Sequence, residues 1–512
     1  MHVATAIDPA KLPDDTQALK ALVVDLATKL ESLTQQFLTL RRAHFGQSAE
    51  HLSGQAELFS QTATVPVPPE QTQTITYERK SKGRPALPAD LPRVTVLHDL
   101  NESRKAEFHS LQRIGEERRE MLNYTPPRLE VIEHVRFKYA GVRKVDGERT
   151  VVVADMPAQP LPKANATHNL LAYVLVSKYQ DHLPLHRIER ILGRHGAPIA
   201  RATLCDWVLG CAELLDPIYQ HLVQHVLAAP KLHIDDTILP LQDPEKSRTV
   251  QARAWAYLGA GSRLNDQQQW GAHPAAVVYD FTDTRRGEHV REFLRNYSGY
   301  IQVDAYAGYE ALFDPRRRPG PIIEIACAAH ARRKFFDVVA AQPKAAGPPS
   351  IAAQALVWIG RLYDIERDIR QMNPDEKRKA RQLQALPILR DYKTWLESSL
   401  IGLLPKSPTA AAIHYTLSNW QALVRYCDDG ILDIDNNACE RAIRPIAMGR
   451  RAWLFVGSPR GGKAATTLFS LIETAKLHSV EPYAYLTDVL RRLPEHPANR
   501  IDQLLPFNWS PP

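Results

Sequence analysis

Residues 231–241 read KLHIDDTILPL. Long and β-branched apolar residues surround two adjacent carboxylates, Asp235 and Asp236. That composition predicts a strand. A charge set into an apolar strand is costly unless it is paired or binds a metal. Successive side chains of a strand point to opposite faces, so one of the two acids belongs to a shared site and the other faces away. Asp235 is the candidate; Asp236 is expected not to be a ligand.

Outward from this run the pattern alternates. RAWAYLGA (253–260) and AAVVYDFTDT (275–284) predict two further strands, followed by a helix, GEHVREFLRNY (287–297). Another strand lies in YIQVDAYAGY (300–309) and another in IIEIACAAH (322–330), with a helix in ARRKFFDVVAA (331–341). Three strands, a helix, a strand and then alternation is the element order of a ribonuclease H-like core. The expected fold class is therefore α/β and multi-domain: a ribonuclease H-like catalytic core over 230–345 and 428–460, interrupted by a helical insertion over 346–427. A C-terminal helical region follows over 461–512.

The N-terminal half reads differently. Leu19, Leu22, Leu26, Leu30, Leu33, Phe37 and Leu40 recur at three- and four-residue steps, which predicts a helix within 1–60. Two readings compete for it, a coiled-coil seam for self-association and an amphipathic helix packed on its own chain. Residues 61–93 have linker composition and carry Arg79, Lys80, Lys82 and Arg84 in one basic run. Residues 94–165 predict a small β-containing domain, with strands in RLEVIEHVRFKYA (128–140) and ERTVVVADMPAQP (148–160). Residues 166–229 read as helical. Within them 183–215 has the layout of a helix-turn-helix with a stop at Gly196 and a basic surface of Arg187, Arg190, Arg194 and Arg201. A purely structural hairpin is the competing reading.

Bulk properties narrow the partners. The 512 residues carry a formal net charge of +7, which favours polyanions weakly over so long a chain. Five cysteines, Cys205, Cys211, Cys327, Cys427 and Cys439, form no Cys-x-x-Cys pair, so neither a disulfide framework nor a four-cysteine zinc site is expected. The N-terminus has no signal-peptide layout and no apolar run is long enough to span a membrane. A cytoplasmic, nucleoid-associated bacterial protein without membrane contact is the expectation.

Chemistry on a phosphodiester needs two divalent cations and few protein groups besides their ligands. Magnesium takes oxygen ligands and keeps several waters, so three converging carboxylates suffice. Asp304 follows YIQV (300–303) and repeats the setting of Asp235. The third acid is read from DIDNNACERAIRP (433–445): Glu440 stands in a basic run, with Arg441, Arg444, Arg450, Arg451, Arg460 and Lys463 after it and no other acid between Glu440 and Lys463. Basic groups beside carboxylates suit a surface that holds both cations and a polyanion. Asn436 and Asn437 either cap the Glu440 helix or touch DNA. Trp453 either stacks on a base or packs in the core.

These residues resemble a known family. Asp235-Asp236-Thr237, VDAYAGY (303–309), CAAHARRKF (327–335), DNNACERAIRPIAMGRRAWLFVGS (435–458), SLIETAKLHSVEPYAYLTDVL (470–490) and LLPFNW (504–509) are similar to motifs of insertion sequence 66 transposases, members of the Asp-Asp-Glu superfamily. The similarity runs from about residue 19 to 510. It implies DNA strand cleavage at transposon ends and strand transfer into target DNA. Asp235, Asp304 and Glu440 would be catalytic and would ligate Mg2+, with Mn2+ as a substitute. It also implies a homodimer and accessory transposition proteins. A nuclease or resolvase without strand transfer, or a non-catalytic repressor, are the alternatives. Cys327 and His330 are expected to be structural, near the site. The family's N-terminal zinc segment has cysteine pairs where this chain reads EFHSLQRIGEE (107–117) and KYAGVRKVDGE (138–148), so no zinc is expected. The family's Gly-Arg-Lys-Asn-Trp is here GRRAW, which keeps a charge at Arg451 and loses an amide at Ala452.

Overall fold

The structure is a computed structural model that describes residues 129–135, 137–142, 149–153, 157–162, 164–242, 248–264, 269–341 and 349–511, and before these only 15–18, 20, 23 and 29. The seam leucines of 16–42 and the basic linker run at Arg79–Arg84 lie outside the described residues. The chain divides into two units, Met1–Val65 with Val135–Pro512, and Pro66–His134. Every element below belongs to the first.

Strand β1 (Lys138–Val142) pairs antiparallel with β2 (Arg149–Val153). Of the strand expected over 128–140, residues 129–135 take no regular structure, so pairing starts at Lys138. Three helices follow: α1 (His168–Tyr179), α2 (Leu185–Arg194) and α3 (Arg201–Leu227). Helix α2 buries Leu185, Ile188 and Leu192 on one face and leaves Arg187, Arg190 and Arg194 exposed. Gly196 ends it with φ +87°, a left-handed setting that glycine adopts without a Cβ clash. The backbone N–H of Arg201 donates to Glu189 Oε1 at 3.0 Å, which ties the start of α3 to α2.

The centre is a five-stranded mixed sheet. Strands β3 (Lys231–Gln242), β4 (Thr249–Leu264) and β5 (Trp270–Thr282) run antiparallel. Helix α4 (Gly287–Phe293) leads to β6 (Gly299–Val303), and β7 (Ile322–Ala326) follows, both parallel to β3. The order is β5-β4-β3-β6-β7. Runs such as Ala254–Leu258 and Val277–Tyr279 are buried throughout, as expected where helices cover both faces.

Helix α5 (Ala328–Ala341) opens the helical insertion, which continues as α6 (Ile351–Asp368), α7 (Pro374–Ala380), α8 (Leu386–Ser399), α9 (Pro408–Ser418) and α10 (Trp420–Val424). The chain returns through α11 (Asn437–Trp453), then α12 (Pro459–Leu477) and α13 (Pro482–Arg492). Helix α12 closes the β5 edge. Ser470 Oγ accepts from Tyr279 N at 2.8 Å, and Thr474 Oγ1 accepts from Val277 N at 3.1 Å and donates to Val277 O at 3.0 Å. Hydroxyls in the middle of a buried helix thus satisfy backbone groups that an open sheet edge would expose. Among the described residues no helix is long and apolar enough to cross a membrane.

The insertion has its own buried ion pair. Arg381 is 1% exposed. Its guanidinium donates twice to Glu366, at 2.8 Å each, and to the carbonyls of Tyr426 and Asp429. Arg381→Met should cost about 3–5 kcal/mol, because Glu366 is left buried without a counter-charge. The double variant with Glu366→Leu should recover most of that loss. Urea midpoints of the three proteins check this.

Candidate active site

The register of the parallel strands sets the site. The parallel pairing of β3 with β6 ends at His233 and Gln302, with Asp235 two residues beyond the one and Asp304 two beyond the other. Val303 pairs with Ala326, so Asp304 and Cys327 continue the next pairing. Asp304 and Cys327 thus follow directly on the carboxyl ends of β6 and β7, and Asp235 lies within the longer β3, two residues past its last pairing with β6. Asp304 is held in a tight turn. Its Oδ1 accepts from Tyr306 N at 3.1 Å, its carbonyl accepts from Tyr415 Oη at 3.0 Å, and Ala305 takes φ +64°.

Glu440 reaches the same place from the first turn of α11. Asn436, which has no exposed surface, anchors that turn. Its Nδ2 donates to Ile234 O at 2.9 Å, its Oδ1 meets His233 Nδ1 at 3.0 Å, and its backbone N–H donates to Cys327 Sγ at 3.1 Å. His233 Nε2 also meets Asp433 Oδ2 at 3.0 Å, and Lys231 Nζ pairs with the same carboxylate. Asn436 occupies the position before α11 but makes no side-chain cap, and its burial keeps it from DNA. Asn437 Nδ2 donates to Asp435 Oδ2 at 2.8 Å.

The acids repel one another. Burial and the negative charges of Asp304, Glu440 and Asp236 push the Asp235 carboxyl well above its usual range, against a hydrogen bond from Asp236 N. Burial, then Asp435 and Asp304, raise Glu440 to about 7, with Arg333 and Arg441 opposing. Burial lowers the His330 imidazole, against the pull of Asp304. His330 Nδ1 lies 3.7 Å from Glu440 Oε1, and neither atom has a hydrogen-bond partner. Asp236 turns elsewhere: Arg253 Nη1 lies 3.0 Å and Arg285 Nη2 2.8 Å from its carboxylate.

A groove of about 380 Å³ opens over this cluster. Asp235, His330, Glu440, Arg444, Arg450 and Arg451 line it, with Arg333. Arg450 is fixed there by donating to Thr237 Oγ1 at 3.1 Å and Ile238 O at 2.6 Å. Arg441 and Lys463 are exposed and lie outside the lining. Arg460 is held by Glu213, 2.6 Å away on α3. Arg187, Arg190, Arg194 and Arg201 are exposed on the α2–α3 hairpin. Trp453 packs against the core, and Lys178 Nζ lies 5.7 Å from its ring centre. Sequence reading missed His233, Asp433 and Arg333. Arg333 had a legible signal, standing one helical turn after His330.

Comparison with known proteins covers nearly the whole chain. Residues 163–464 match the family model described as Transposase IS66 family, and 470–507 match the IS66 C-terminal element. Residues 32–96 match Transposase C of IS166 homeodomain, and 107–140 match the zinc-finger binding domain of transposase IS66. The chain is 34% identical to the uncharacterized protein y4jD of Sinorhizobium fredii (strain NBRC 101917 / NGR234), over 98% of this chain and 97% of the relative. It is 32% identical to the uncharacterized protein y4hP of the same strain, over 95% and 89%. The zinc-finger match overturns the expectation that zinc has no place in this protein. Counting cysteines was the wrong criterion, since zinc also takes imidazole nitrogen and carboxylate oxygen. Cys327, His330 and Glu440 offer one donor of each kind within 4.8 Å.

The raised Glu440 carboxyl has a consequence for stability. The folded state holds this proton more tightly than the unfolded chain, whose value is the ordinary 4.5. That stabilisation is full below pH 4.5 and is lost as pH rises through about 7. In chelator-treated protein, Glu440→Gln avoids the loss. Its melting temperature should rise above wild type as pH increases from 4.5 to 7 and stay above it at higher pH. A difference that does not change with pH would contradict this burial.

Proposed function

The chain belongs to the IS66 transposase family, and from that premise we propose that it is a DNA transposase that cleaves strands at transposon ends and joins them to target DNA through Asp235, Asp304 and Glu440. The observation that carries the reading is that the charges of Asp304 and Glu440 both act on the buried Asp235 carboxyl, each from a different part of the chain. The strand order, with three antiparallel strands followed by two parallel ones, supports a ribonuclease H-like core.

Three carboxylates form an all-oxygen donor set, which fits magnesium. The negative charge that Asp304, Glu440 and Asp236 place around Asp235 fits it as well. Divalent cations held there would activate the attacking oxygen and stabilise the leaving one. The protein's own groups do the rest. The position of Asp235 within the paired strand β3 and the pinned turn at Asp304 keep two carboxylates fixed before substrate arrives. Arg444, Arg450 and Arg451 lie along the groove, where they neutralise backbone phosphates and orient the strand. Arg450, already bonded to β3, does so from a fixed position.

Asp235→Ala should reduce cleavage of end-bearing DNA to background while end binding persists. Cleavage at the wild-type rate would reject the assignment. A strand-transfer reaction with pre-cleaved ends distinguishes the enzyme class, since a nuclease on the same scaffold cuts without joining.

Arg444→Ala and Arg451→Ala should each weaken DNA binding about equally for all sequences. Each should also reduce the slope of log affinity against log salt by about 1. Fluorescence anisotropy over a salt series reads both effects.

A further inference from the structure

Two donors beside the carboxylates, Cys327 and His330, are unused by that chemistry. Cys327 follows β7 directly, and His330 is the third residue of α5. Cys327 Sγ, a His330 ring nitrogen and a Glu440 oxygen lie within 4.8 Å of one another. His330 Nδ1 and Glu440 Oε1 are too far apart, at 3.7 Å, to bond each other. Both are buried without a hydrogen-bond partner, and the Glu440 side chain is 8% exposed. Buried polar atoms without a partner need explaining, and one cation between these two would serve both.

The cysteine is prepared in the same sense. Its sulfur is buried, and it receives the backbone N–H groups of Asn436, at 3.1 Å, and of His330. Amides directed at sulfur are the outer-shell contacts that steady a metal thiolate. A sulfur, nitrogen and oxygen set excludes magnesium and suits zinc or cobalt(II).

We propose that Cys327, His330 and Glu440 bind one divalent ion of the zinc class. Three protein ligands leave a fourth position free. His330 and Glu440 line the DNA-facing groove, so that position opens onto it. The ion joins the β7–α5 turn to the first turn of α11 and fixes the Glu440 carboxylate through one oxygen, leaving Oε2 for the neighbouring acids. This site is separate from the segment 107–140, which contains no cysteine. It also stands without the transposase reading.

The test uses the full-length protein, stripped with chelator and titrated with Co2+. Wild type should develop a thiolate-to-cobalt charge-transfer band with four-coordinate visible bands, saturating at about one ion per chain. All five cysteines lie at or beyond Cys205, so the band cannot arise from 107–140. Cys327→Ser should abolish it, and His330→Ala should weaken cobalt affinity at least about tenfold. Asp235→Asn, which alters only the neighbouring carboxylate cluster, should keep it. No thiolate band in wild type overturns the proposal, as does a band that survives Cys327→Ser. Should Cys327→Ser fail to fold, an unchanged spectrum and affinity in His330→Ala overturns it instead. No readout is strand cleavage, so failure here leaves the transposase reading intact, and failure of that reading leaves this site intact.

Discussion

Asn436 is the contact on which the arrangement depends. One buried amide joins three parts of the chain: it donates to the carbonyl of Ile234 on β3, meets His233 on the same strand, and is followed by the helix that carries Glu440. Its backbone N–H points at Cys327, the first residue past β7. A buried amide left unpaired is expensive, so the helix has one seating that satisfies all these groups together. That seating brings the Glu440 carboxylate within electrostatic reach of Asp235 and Asp304. A slip of α11 by one residue would break three polar contacts at once, not simply loosen packing.

The cost of this geometry is electrostatic. Carboxylates brought together in a half-buried cleft raise one another's proton affinity. The fold absorbs part of the excess charge by pairing neighbours elsewhere. Asp433 is taken by Lys231 and His233, Asp236 by Arg253 and Arg285. Among the described residues no arginine or lysine forms an ion pair with Asp235 or Glu440. Asp235 and Glu440 therefore remain available for cations, while the acids on either side are neutralised by protein groups. Stability given up at a site where function needs unpaired charge is a general pattern.

Much of the fold was legible because its signals are local. The strand around Asp235, the alternation through 341, the helical insertion and the Gly196 stop all rest on short-range composition and spacing. Asp235 and Asp304 stood out as charges in apolar strands, and Glu440 as an acid in a basic run. The supporting network was not legible. His233 meets Asn436 across 203 positions and Asp433 across 200, and each reads alone as an ordinary strand or loop residue. Arg460 read as a DNA contact, yet it lies against Glu213, 247 positions away. The zinc expectation failed for a different reason: it treated cysteine pairs as the only evidence of zinc, which also takes histidine and carboxylate.

The helical insertion also belongs to the site, not merely beside it. It interrupts the chain between the β7–α5 turn and α11, and closing so long a loop costs little more than closing a short one. Length alone, then, would leave the two halves of the site free to move relative to each other. Two tyrosines from the insertion remove that freedom. Tyr415 on α9 donates to the carbonyl of Asp304 at 3.0 Å, and Tyr363 on α6 donates to Asp435 at 2.8 Å, five residues before Glu440. Asp435 in turn accepts from the backbone and side chain of Asn437 at the start of α11. One helical body thus holds the backbone under the second acid and the first turn under the third. The separation of these acids along the chain is bridged by a scaffold that touches both, which is how residues 136 positions apart (440 − 304) come to act on one another's charge.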